Sequence, residues 1–70
     1  MRDPGRIDPV VDELRAVWAA QPDVRLGQLM FNFTHWACAQ VGQRDLFYVE
    51  DDQLLELLRM YRARCTGGER

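Results

Sequence analysis

Pro22 falls between two apolar runs of helical spacing and fits the interior of neither helix. It has no N–H to donate, and its ring crowds the preceding turn. It also drives Gln21 toward extended backbone, so a first helix must end near Ala20 and the chain must turn before a second begins. Upstream, Val10, Leu14, Val17 and Trp18 recur every three or four residues as one stripe, with Asp12, Glu13 and Arg15 outside it. Asp8 as cap, Pro9 at the first helical position and acidic Asp12 and Glu13 near the positive end of the dipole mark its start. Trp18, last on the stripe, is expected to pack against the second helix near Leu26 or Met30.

The second helix is expected to begin just after Arg25, with Gln28 at its third position reaching back to the cap N–H; Asp23 is an equally chemical cap. Leu26, Leu29, Met30, Phe33, Trp36, Ala37 and Val41 share one face, with Phe31 and Cys38 beyond its edge. That face is wider than one packing stripe, as a central helix touching two neighbours requires. Gly27 costs roughly 1 kcal/mol against Ala in a helix interior, so it is expected to admit another backbone, unless it lies in the first turn. Gly42 is the natural left-handed stop.

Gln43, Arg44 and Asp45 form a surface turn. Leu46-Phe47-Tyr48-Val49 is too apolar to hang in water, and is read as a short extended segment across the helices or one 3-10 turn. It has no partner strand, so no sheet is expected. Glu50, Asp51 and Asp52 open a third helix, whose stripe is Leu54, Leu57, Leu58, Tyr61 and Cys65, widened by Leu55. Arg59, Arg62 and Arg64 suit its negative end, and Gly67 and Gly68 stop it.

The fold class that follows is all-α: a small bundle of three helices with a short extended segment before the last. Residues 1–7 read as a flexible arm, 8–65 as a single helical domain and 66–70 as a flexible tail. The last helix has the alternative of swapping into a second copy. Seventy residues, 47% of them hydrophobic, permit a core, though one of this size leaves only ~3–5 kcal/mol of net stability. No run is apolar enough for a membrane span or a signal peptide, so a cytoplasmic protein is expected. All nine basic residues are Arg, which fits a GC-rich genome, and the net charge of −2 gives no general footprint for nucleic acid.

Chemically the chain is sparse. His35 and Cys38, three apart, make at most half a metal site or a Cys–His pair, and there is no second His. Cys38 reads as a buried free thiol and Cys65 as one near a mobile end. No nucleophile elbow, phosphate-binding Gly loop or calcium loop occurs, so no enzyme activity and no cofactor are expected. The aromatics are numerous for the length. Phe31, Met60 and one of the Phe47/Tyr48 pair are expected at the surface, where an aromatic and Met patch marks a partner-binding site; Phe31, Phe47, Tyr48 and Met60 are the candidate partner-binding residues.

The block Trp18-x-x-x-Pro22-Asp23-x-Arg25-Leu26-Gly27-Gln28-Leu29, followed by Phe47-Tyr48-Val49-Glu50-Asp51-Asp52, resembles a widespread group of short bacterial proteins of unknown function. The resemblance covers residues 18–58 and implies a stand-alone bacterial domain; it carries no activity or cofactor. The expectation is therefore a non-enzymatic helical module that binds another protein or its own copy, in an accessory, regulatory or immunity-type role. The alternative is a nucleic-acid-associated regulator that uses Arg59, Arg62 and Arg64.

Overall fold

The computed structural model describes residues 3–66, and every regular element among them is helical. A 3-10 turn, Pro4–Arg6, leads directly into α1, Ile7–Ala19; α2 spans Leu26–Val41 and α3 spans Asp51–Thr66. This is the all-α three-helix bundle that the periodicities predict. Gly67 and Gly68, the predicted stop, lie outside the described residues.

Residues 3–7 are ordered into the fold rather than forming an arm. The Asp3 side chain accepts the Gly5 N–H at 2.9 Å, the Arg6 N–H donates to the Asp3 carbonyl at 3.3 Å, and the Arg6 guanidinium pairs with Asp51 at the head of α3. The helix therefore starts before Asp8, and Pro9 takes its third position. Proline is tolerated there because the first N–H groups of a helix lack an intrahelical acceptor in any case.

α1 ends where Pro22 requires. The Gln21 N–H donates to the Trp18 carbonyl at 3.0 Å, and the Val24 N–H to the Gln21 carbonyl at 3.1 Å, closing a turn over Pro22. Trp18 does not enter the core. It is 37% exposed, and its indole N–H donates to the Val24 carbonyl at 2.8 Å. The indole N–H needs an acceptor, and the turn supplies one, so Trp18 braces the turn from the α1 side.

Arg25 is extended, and its N–H donates to Gln28 Oε1 at 3.3 Å, the half of a capping box that an arginine permits. Gly27 lies in the first turn of α2, and a Cβ there would meet nothing within 4 Å. It admits no second backbone. Gly42 closes α2 in the left-handed conformation, φ 70°. The 46–49 stretch takes the tight form: the Val49 N–H donates to the Leu46 carbonyl at 3.1 Å, and the Phe47 N–H to Asp45 Oδ1 at 3.0 Å. Leu46 and Val49 pack on the core, leaving Phe47 and Tyr48 at the tip.

The core consists of Val17 from α1, Leu29, Phe33 and Ala37 from α2, and Leu57 and Leu58 from α3. The central helix is α3, not α2: α1 lies closely along α3, and α2 meets α3 at longer range. Large rings explain the difference in distance. Phe33 and Trp36 stand 5.4 and 5.2 Å, centroid to centroid, from Tyr61, and so hold the α2 backbone off α3. Leu26 and Met30, on the predicted buried face of α2, remain exposed.

Three links join α1 and its flanks to α3: Arg6, just before α1, to Asp51; Glu13 to Arg62; and Gln21 Nε2, just after α1, to Cys65 Sγ at 3.2 Å. Both sets of numbers rise together, so α1 and α3 run in the same direction. Glu13, outside the apolar stripe of α1, retains only 12% of its side-chain exposure. A carboxylate at the edge of a stripe can sit in the seam because Arg62 answers its charge.

Two contrasts test this fold by urea denaturation. Gly27→Ala should stabilise by a few tenths up to about 1 kcal/mol, whereas Gly42→Ala should destabilise by about 1 kcal/mol or more, because only the second sits at positive φ. Arg62→Ala should cost roughly 1–3 kcal/mol by stranding Glu13, and Arg59→Ala less than about 0.5 kcal/mol, since the Arg59–Glu56 pair is solvated.

Candidate functional site

The side chains that the fold fails to cover define the site. Phe31 projects from α2 at 71% exposure and stacks on His35 one turn later, with centroids 6.2 Å apart and ring planes 18° from parallel. Beside this pair runs a groove of about 370 Å³ between α2 and α3, walled by Phe31, His35 and Trp36 on one side and by Tyr61 and Arg64 on the other. Of the lining rings, Trp36 and Tyr61 pack against each other and against the buried Phe33, edge to face and tilted. The Arg64 guanidinium lies 5.7 Å from the Trp36 ring centroid, a cation–π contact. Among the described residues, no Asp or Glu lines the groove.

The groove is thus a cationic, aromatic concavity on an acidic chain. Burial raises the Tyr61 phenol above its ordinary value; Cys65 adds to the rise, and Arg64 and a hydrogen bond from Gln21 oppose it. Tyr61 is therefore a neutral hydroxyl at physiological pH.

The predicted surface residues divide into two groups. Met60, 44% exposed, stands one turn before Arg64 on the same face of α3, close to the groove. Phe47 and Tyr48 are 82% and 77% exposed and pack edge to face with centroids 4.9 Å apart, but on the turn that precedes α3. Ten helical residues, or about 15 Å of rise, separate Asp51 from Tyr61. Phe31 and the Phe47–Tyr48 pair accordingly belong to opposite halves of the molecule and do not form the continuous patch expected.

The remaining candidates are accounted for by local contacts. His35 is held by the Phe31 stack, and Cys38 and Cys65 are half-buried free thiols. Among the described residues, no group of three or more His, Cys, Asp or Glu could hold a metal ion. The C-terminal arginines are distributed among separate partners: Arg59 with Glu56 at 3.8 Å, Arg62 with Glu13, and Arg64 on Trp36. A larger concavity, about 550 Å³, lies where α1 and α3 begin. Its charged wall is the acidic head of α3, where Arg6 answers Asp51.

Two features of the site escaped sequence reading. Arg64 reads as a dipole-compensating residue, and its position over Trp36 has no sequence signal. The Trp36–Tyr61 contact links stripes on different helices, and only the relative placement of α2 and α3 reveals it.

No helix among the described residues is long and apolar enough to cross a membrane. Comparison with family models, curated proteins and solved structures finds no match.

The raised Tyr61 value has a testable sign. The unfolded chain loses this proton near pH 10, while the folded protein holds it to higher pH. Above that point the unfolded state binds fewer protons, so stability falls as pH rises from about 10 through the folded value. Tyr61→Phe should flatten this alkaline limb in urea midpoints measured between about pH 9 and 11.

Proposed function

We propose that the protein is a small non-enzymatic interaction module, which works by burying Phe31 and the α2–α3 groove in another polypeptide. The observation that supports this most directly is Phe31 itself, 71% exposed beside a concave aromatic wall. Large apolar side chains next to a groove are the usual anchors of protein interfaces, and a cation over an aromatic ring adds polar selectivity. The stack on His35 restrains the Phe31 ring, so little side-chain freedom is lost when a partner covers it. An accessory, regulatory or immunity-type role in the bacterial cytoplasm suits a module of this size.

Burying an exposed Phe is worth about 1.5–3 kcal/mol, or roughly a ten- to hundredfold change in affinity. Phe31→Ser should weaken association by that factor, in sedimentation or partner capture, while the thermal melt stays within a few degrees of the parent. A collapse of the melt would identify Phe31 as a structural residue and remove the basis for the proposal.

A further inference from the structure

The groove and the Phe47–Tyr48 turn have complementary chemistry. The groove is aromatic, carries Arg64 and His35, and is lined by no carboxylate among the described residues. Its guanidinium rests on Trp36, with no carboxylate partner among the described residues. The turn presents two rings at 82% and 77% exposure, with Asp45 before them and Glu50 and Asp52 after them. Arg44 and the Arg6-paired Asp51 complete its local charges, and the balance of residues 44–52 stays acidic. The turn is also preorganised. Its Leu46–Val49 and Asp45–Phe47 hydrogen bonds fix the backbone, and buried contacts of Leu46 and Val49 hold the rings outward.

One chain cannot close this contact on itself, because groove and turn lie at opposite ends of α3. We propose that the groove of one copy receives the Phe47–Tyr48 turn of a second copy, with the turn's carboxylates facing Arg64. This rests on the reading of the groove as an interaction surface and names its occupant. Such a contact is head-to-tail: each copy donates one turn and offers one groove, so association continues beyond two unless a ring closes.

The test is complementation in sedimentation. The parent should form species larger than its 8.2 kDa chain as concentration rises. Arg64→Glu, which spoils the groove, and Phe47→Ser/Tyr48→Ser, which spoils the turn, should each sediment as a monomer. Both change exposed side chains, and thermal melts confirm folding; should Arg64→Glu fail to fold, Phe31→Ser replaces it. Mixed one to one, the two variants still hold one intact turn and one intact groove between them. The mixture should therefore form a complex of two chains that grows no further. A parent that stays monomeric, or a mixture that stays monomeric, would overturn the head-to-tail contact. In either case, loss of partner capture by Phe31→Ser would leave the broader reading intact, so the two failures are distinguishable.

Discussion

α3 is the element against which the other two helices are arranged. It contributes Leu57 and Leu58 to the buried cluster, with Val17 contributed by α1 and Leu29, Phe33 and Ala37 by α2. Six buried core residues among those described are few, and a domain this small has little net stability to lose. The seam between α1 and α3 is therefore reinforced at its edge by Glu13 with Arg62 and Arg6 with Asp51. Both helices that bracket the Pro22 turn owe their burial to an element that arrives last in the chain. The pairings across the seam join residues more than forty positions apart, so α1 acquires its cover only after a long loop has closed.

The helices themselves were legible because local physics decides them. Pro22 ends α1, Arg25 opens α2 with Gln28 behind it, Gly42 stops α2, and Asp51 and Asp52 head α3. What proved illegible was which helix lies between the others. A broad apolar face on α2 argued for two neighbours, yet Leu26 and Met30 remain in water. Apolar width reports capacity for burial, not its use, and the bulk of Phe33, Trp36 and Tyr61 set a spacing that periodicity does not encode. Trp18 illustrates the same limit. Its stripe position predicts packing on α2, but its indole N–H finds an acceptor in the tight turn beside it and the ring stays outside the core.

The candidate site was half legible for related reasons. Surplus aromatics marked Phe31 and one of the Phe47/Tyr48 pair as exposed; Phe31 is, and so are both members of the pair. Their grouping failed, because helical rise carries residues apart even when sequence composition suggests a single patch. Glu13 shows the opposite case: a charge outside the apolar stripe sits in a seam, where its partner lies forty-nine residues away. Pairwise compensation of this kind cannot be read along one strip of sequence.

The shared direction of α1 and α3 has a mechanical consequence. The described chain enters at one end of the bundle and leaves at the other, with the two helices overlapping side by side between. Tension applied through the two ends would slide α1 and α3 past each other, instead of peeling them apart from one end. Both ion pairs and the apolar seam would then carry the load together. An antiparallel pair of the same area would surrender its contacts one after another.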